Sequence, residues 1–222
     1  MMSESATITL DGINVFLDAH HALIDVNLKL AARGRHGLAG PNGSGKTTLL
    51  KLLAGLLMPV TGTARYADVD LLAHDSEFVE RLAYVTQEFS LYAELNVDEN
   101  LAFVAELYAL PHPDRASAHA QELFGLTPYA RRRAGEVSAG LRQRLMLAAA
   151  FMRNPTLMLL DEPTAALDDR SRDELWHRID AAQRSGTTIV LSTHSERDLE
   201  QCDSATRLLA GQIIEHRATP RS

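Results

Sequence analysis

The segment Gly40-Pro41-Asn42-Gly43-Ser44-Gly45-Lys46-Thr47 decides how this chain folds, because it joins a short apolar run to a stretch of leucines at helical spacing. It matches G-x-x-x-x-G-K-[ST], a loop whose successive backbone N–H groups converge on phosphate oxygens and which is too tight for Cβ atoms at its glycines. Lys46 is then placed to reach β- and γ-phosphates, the Thr47 hydroxyl to coordinate Mg²⁺, and Thr48 to complete the binding stretch where the positive end of a helix faces the ligand. That helix is expected over residues 46–57, carrying Leu49, Leu50, Leu53, Leu56 and Leu57, with Pro59 and Gly62 ending it. On the upstream side Arg35-His36-Gly37 interrupts the apolar run before Leu38-Ala39.

Working outward, ITLDGINVFL and VNLKL alternate as half-buried strands. From about residue 88 to 153 the pattern is helical. Asn96 with Glu99 forms a capping-box start, Leu101, Val104, Ala105 and Tyr108 share a face, and Pro111 and Pro113 are expected to close that helix. A second helix runs through Leu123, and a third, from Ala139 to Met152, places Leu141, Leu145, Ala148, Ala149 and Met152 on one stripe. Beyond residue 157, LMLLD, a helix over Arg170–Arg184 ended by Gly186, TTIVLST, a short helix and a hairpin around Gly211 alternate. Continuous apolar strands between helices predict an α/β fold with a mostly parallel sheet covered on both faces. The chain therefore reads as one unit over 1–222, with 1–87 and 154–222 forming the core and 88–153 a helical subdomain.

Leu157-Met158-Leu159-Leu160 delivers Asp161 and Glu162 to the C-terminal edge of a buried strand, where open α/β sheets bind ligands. Asp161 suits a direct or water-mediated Mg²⁺ role, and Glu162 can polarise an attacking water.

Composition narrows the remaining classes. Of 222 residues, 45% are hydrophobic and 23% charged, which excludes disordered and fibrous chains. The longest apolar stretch, Leu145 to Met152, is far short of the ~18 residues of a membrane span. The N-terminus has neither a signal-peptide nor a transit-peptide pattern, and the single Cys202 suits core packing in a reducing compartment, so a cytosolic location is expected. A formal net charge of -7 disfavours nucleic acid as a partner. His20-His21 reads as a loop pair rather than a metal site, and Arg131-Arg132-Arg133 as a solvated face.

Taken together, these residues resemble the nucleotide-binding subunit of ATP-binding cassette (ABC) transporters, in collinear order over nearly the whole chain. Gln87 in YVTQ resembles the Q-loop, VSAGL at 137–141 the signature, LMLLDEP the Walker B strand, Ala166-Leu167-Asp168 the D-loop and His194 in LSTHS the switch histidine. The resemblance implies a P-loop NTPase core with an N-terminal antiparallel β region, ATP and Mg²⁺ as ligands, and hydrolysis by positioning and electrostatics. Glu162 would orient water, His194 would hold the γ-phosphate, and Gln87 would contact the magnesium or the attacking water. Ser138 and Gly140 would reach nucleotide on an opposite protomer, identical or paired, in a head-to-tail dimer. The adenine-stacking aromatic would be Phe16, with Leu17 as the other register and a plain hydrophobic-core role for Phe16 as the alternative.

The signature departs from Leu-Ser-Gly-Gly-Gln at Val137, Ala139 and Leu141 while keeping Ser138 and Gly140; Gln143 lies two residues on. Leu141 either packs along the helix stripe or weakens the trans contact. The stretch SLYAELNVDENLAFVAELYAL is most similar to ATPases of ABC-2-type and haem exporters. That similarity implies a subunit peripheral to the inner face of the cell membrane, powering an integral membrane permease on another chain. The alternatives are a soluble, non-transport ABC ATPase of the iron-sulfur assembly type and a nucleotide-binding module without turnover; Glu162 and His194 argue against the latter.

Overall fold

The computed structural model describes residues 7–18, 20–73 and 75–219; residues 1–6 of the N-terminus, read above for targeting patterns, lie outside them. Strands β1 (Thr7–Leu17) and β2 (His20–Ala31) pair antiparallel and are followed by β3 (Arg35–Ala39), the glycine loop and helix α1 (Lys46–Leu53). Strands β4 (Thr61–Tyr66) and β5 (Val69–Asp70) complete an antiparallel sheet in the order β2-β1-β4-β5. After the short α2 (Ser76–Glu80) comes β6 (Leu82–Val85), and then the helices α3 (Val97–Leu107), α4 (Pro113–Leu123) and α5 (Ala139–Phe151). The chain returns through β7 (Leu157–Asp161), α6 (Asp169–Arg184), β8 (Thr188–Ser192), α7 (Glu196–Glu200), β9 (Ser204–Leu209) and β10 (Gln212–Ala218).

The second sheet runs β10-β9-β3-β8-β7-β6, parallel from β9 to β6, with β10 antiparallel at its edge. Its central strands β7 and β8 are buried along their whole length, as their unbroken apolar runs require. The pleat sends alternate side chains to opposite layers. Leu157, Leu159 and Val190 join Leu49, Leu50, Leu52 and Leu53 of α1 and the inner residues of β1 and β2 in one core. Met158, Leu160, Ile189 and Leu191 meet α5 and α6 in the other. Because the glycine loop follows β3 and the acidic pair follows β7, the parallel arrangement brings both to the same sheet edge.

The polar interruption before the loop is an anchor for β3. The Arg35 backbone N–H donates to Asp203 at 2.8 Å, and its guanidinium lies 3.5 Å from Asp203 and 3.6 Å from Asp180. Buried His36 donates from Nε2 to the Ala31 carbonyl at 2.7 Å and accepts from Ser204 at Nδ1, 2.8 Å away; burial holds its pKa below the usual value, so this neutral tautomer fits. Cys202 is core, as its sequence context suggests: the buried thiol donates to the Asp198 carbonyl, and burial pushes its pKa up to about 12.

Several boundaries differ from the sequence expectation. Helix α1 ends at Leu53 rather than residue 57, because Gly55 adopts a left-handed φ of 71° and closes the helix with bonds from Gly55 to Leu52 and from Leu56 to Lys51. The Asn96–Glu99 capping box forms, but Pro113 opens α4 at its first turn rather than closing α3. His20 and His21 lie in β2, not in a loop. Helix α5 is buried on most sides rather than along one stripe, with Gln143 and Met146–Ala150 inside as well as Leu141 and Leu145.

Leu141 is 8% exposed and belongs to the core that α5 shares with β7 and α6. Leu141→Gln buries an amide among apolar neighbours at a cost of about 1–3 kcal/mol. Thermal melting should show a fall of roughly 2–4 °C per kcal/mol, with no gain in the ATP hydrolysis that the resemblance implies. A faster enzyme of unchanged melting temperature would assign Leu141 to the trans contact instead.

Candidate active site

The cleft at this shared sheet edge holds about 530 Å³ and is lined by Asn42 to Thr48, Gln87, Asp161, Glu162 and His194, with Leu17, His20, Ala22 and Ala165 at its margins. The glycine loop fits tightly against the sheet. Gly40 has φ 147°, and a Cβ there would lie 2.3 Å from the Leu208 carbonyl oxygen, a space no other residue fits. Lys46 Nζ donates to the carbonyls of Gly40 at 2.8 Å and Pro41 at 3.2 Å, so the ammonium is folded over the loop it follows. Burial lowers its pKa, while the carboxylates of Glu162 and Asp161 pull the other way.

The acidic pair is fixed by hydroxyl groups. Thr47 Oγ1 donates to Asp161 Oδ2 at 2.7 Å, and Ser192 Oγ donates to Asp161 Oδ1 at 2.6 Å. The same Ser192 oxygen accepts from the Glu162 backbone N–H at 2.8 Å. Glu162 leaves the strand with a left-handed φ of 50°, unusual for a residue with a side chain and a common mark of functional sites. Its carboxylate oxygen Oε1 lies 3.0 Å from His194 Nε2, and that nitrogen is 3.4 Å from Lys46 Nζ. Burial raises the Glu162 pKa above the usual carboxylate range, opposed by His194 and Lys46, which suits a group that must accept a proton.

Most of the residues singled out in the sequence converge here: Asn42, Gly43, Ser44, Gly45, Lys46, Thr47, Thr48, Gln87, Asp161, Glu162 and His194 line one cleft, with Gly40 and Pro41 beneath it holding the lysine. Phe16 does not line it. Its ring is 48% exposed and stacks on His21, with centroids 4.1 Å apart and planes 8° from parallel, while Leu17 and His20 face the cleft. The strand alternation explains the difference, since one residue of register sends a side chain to the opposite face.

Ser138 and Gly140 also lie apart from this cleft, at the start of α5, where exposed Ser138 caps the helix by accepting from the Leu141 N–H at 3.3 Å. Ser192 joins the site without a motif of its own; its sequence signal is a hydroxyl at the end of an apolar strand, and the pairing of β8 with β7 puts it opposite Asp161. A larger groove of about 960 Å³ between α4, α5 and α6 is mainly apolar and shows no such convergence of ionisable and hydroxyl groups.

A glycine loop at a helix N-terminus, facing a carboxylate pair across a parallel sheet edge, defines a nucleotide-phosphate site of the P-loop class. The ABC transporter family model matches residues 23–165, and the chain belongs to that family. Its fold is that of an ATP-binding cassette, the ATPase unit of the family.

A probable multidrug ABC transporter ATP-binding protein, YbhF of Escherichia coli, is 36% identical over 180 residues, which cover 80% of this chain but 31% of that protein. The daunorubicin resistance ATP-binding protein of Streptomyces coeruleorubidus is 35% identical over 217 residues, covering 96% of this chain and 68% of its own. The chain thus spans about a third of the first relative and about two thirds of the second. Among solved structures, an ATP-binding subunit of an ABC transporter superposes with a TM-score of 0.87 at 27% identity, covering 95% of this chain and 89% of that one. A dimeric cassette in a post-hydrolysis state, bound to ADP and Pi, has a TM-score of 0.89 at 21% identity over 97% of this chain and all of its own, a likeness of fold.

Lys46→Ala removes the mobile cation of the loop. A charge-assisted contact is worth about 1.5–3 kcal/mol, so ATP affinity should fall roughly ten- to hundredfold. Calorimetry showing unchanged affinity would place the nucleotide elsewhere.

Proposed function

We propose that this chain is the ATP-hydrolysing subunit that powers a separate transmembrane partner, an exporter permease, from the inner face of the cell membrane. The observation that carries this reading is the hydroxyl-linked series Thr47–Asp161–Ser192–Glu162, closed by His194 and Lys46 around one cleft. Membership of the family and the multidrug-transporter and daunorubicin-resistance proteins among its relatives support the transport role. No helix among the described residues is long and apolar enough to cross a membrane.

The residues present suit Mg²⁺. A threonine hydroxyl lies within hydrogen-bond distance of a carboxylate, and a side-chain amide lines the same cleft; these are hard oxygen donors that leave positions for water and phosphate. Among the described residues no cluster of three or more His, Cys, Asp or Glu side chains is placed to hold a metal, which fits an ion that arrives with nucleotide. Thr47, Asp161 and Gln87 would hold it, and it would neutralise charge on the β- and γ-phosphoryl oxygens.

The chain's own part is then positional. The loop amides and Lys46 bind the phosphates, the lysine exchanging its carbonyl partners for phosphate oxygens. Glu162, with its raised pKa and fixed backbone, takes the proton of the attacking water, and His194 holds the γ-phosphate beside it.

Ser138 and Gly140 would complete the site of a second cassette, identical or paired. Their position at the start of α5, with Ser138 exposed and Gly140 half-buried, outside the cleft of their own chain, supports that role. Closure and reopening of this dimer would reach the permease through the groove near residues 87–95. A small cleft of about 260 Å³ lies there, lined by Leu91, Tyr92, Phe103, Leu107 and Met146.

Glu162→Gln should bind ATP with Mg²⁺ but hydrolyse it slowly, and light scattering should then show an ATP-dependent dimer. A monomer at saturating nucleotide in both the variant and the unaltered protein would contradict the shared site.

A further inference from the structure

Asp198, on α7, is a fully buried carboxylate that lies outside the nucleotide cleft. Its Oδ2 accepts from Thr164 Oγ1 at 2.7 Å and from Thr193 Oγ1 at 3.1 Å, and its Oδ1 accepts from Trp176 Nε1 at 2.8 Å. Arg172 Nε is 3.9 Å from the same Oδ1. A charge removed from water is costly unless it is paired and hydrogen-bonded. Here three neutral donors and one cation converge on two oxygens, the arrangement that makes such a charge tolerable.

The donors come from the two loops that carry the reactive groups. Thr164 sits two residues after Glu162, in a turn closed by Ala165 N–H to the Glu162 carbonyl and Leu167 N–H to the Thr164 carbonyl. Thr193 immediately precedes His194, and its hydroxyl oxygen also accepts from the Ser195 N–H at 3.0 Å, so both neighbours of His194 are tied to this point. Trp176 and Arg172 add α6, the helix that follows Asp168.

From this geometry we propose that Asp198 is a positioning residue that locks the Glu162 turn, the His194 turn and α6 into one register and so sets the approach of His194 Nε2 to the Glu162 carboxylate. The proposal rests on the assignment of Glu162 and His194 to hydrolysis. Asp198 touches neither nucleotide-binding side chains nor the cleft, so its effect is on turnover rather than on binding.

The test compares Asp198→Asn, Trp176→Phe and Glu162→Gln with the unaltered chain by steady-state ATP hydrolysis with Mg²⁺ and by thermal melting. Asparagine keeps the volume but replaces one acceptor oxygen by an amide NH2, and phenylalanine removes one donor. Displacement of reacting groups by about 1 Å costs on the order of a hundredfold in rate. The expected result is therefore a fall in kcat of roughly 10- to 100-fold for Asp198→Asn, a smaller fall for Trp176→Phe, and an unchanged KM for ATP in both.

A lower melting temperature with kcat per folded molecule at the unaltered value in both variants would make Asp198 structural only and overturn the proposal. Should Asp198→Asn fail to fold, Trp176→Phe decides alone by the same criterion. Full hydrolysis by Glu162→Gln would remove the assignment of the base and this proposal with it. Loss of hydrolysis in Glu162→Gln beside normal kcat in the other two would overturn the proposal alone.

Discussion

One hydroxyl group holds the chemistry of this cleft in place. Ser192 Oγ donates to Asp161 and accepts from the Glu162 N–H, so the end of β8 fixes both the carboxylate facing Thr47 and the backbone that aims the next carboxylate at His194. The group is entirely buried, where a hydrogen bond to a charged oxygen is stronger and its loss is more costly than at a surface. The bond exists only because β7 and β8 are parallel neighbours paired Asp161 to Ser192, and any slip in that register would separate the two residues.

That register is in turn imposed by two cores of different character. On one face, α1 inserts its leucines between the parallel sheet and the antiparallel sheet, fixing the glycine loop at its own N-terminus. On the other, α5 and α6 cover Met158, Leu160, Ile189 and Leu191. Helix α5 also carries Ser138 at its exposed start, so the segment assigned to a second cassette is rooted in the core that supports Glu162.

Much of this was legible in the sequence because it depends on local pattern. The glycine loop, the apolar run ending in Asp161-Glu162 and the Asn96–Glu99 box each combine spacing with residue chemistry, and each adopts the local structure read from it. Tertiary geometry decided the rest. Gly55 ended α1 early because a left-handed residue competes with leucine periodicity, which by itself would have continued the helix. Phe16 and His21 stack on each other, and the cleft margin falls to Leu17 and His20, a difference of one residue in a strand whose pairing with β2 has several register shifts. Asp198 has no local signature, and Ser192 has only a hydroxyl at the end of an apolar strand. Their importance lies in donors and acceptors brought together from distant segments, which spacing along one chain does not encode.

The most direct measurement is a crystal structure of the chain with ADP and Mg²⁺. The β-phosphate should sit against the backbone amides of residues 42–47, with Lys46 Nζ moved from the carbonyls of Gly40 and Pro41 to a phosphate oxygen. Thr47 and Asp161 would hold the metal, so their direct hydrogen bond should be lost. Nucleotide bound outside this cleft, or phosphates seated there while Lys46 remains on its two carbonyls and Thr47 on Asp161, would contradict the assignment of the site.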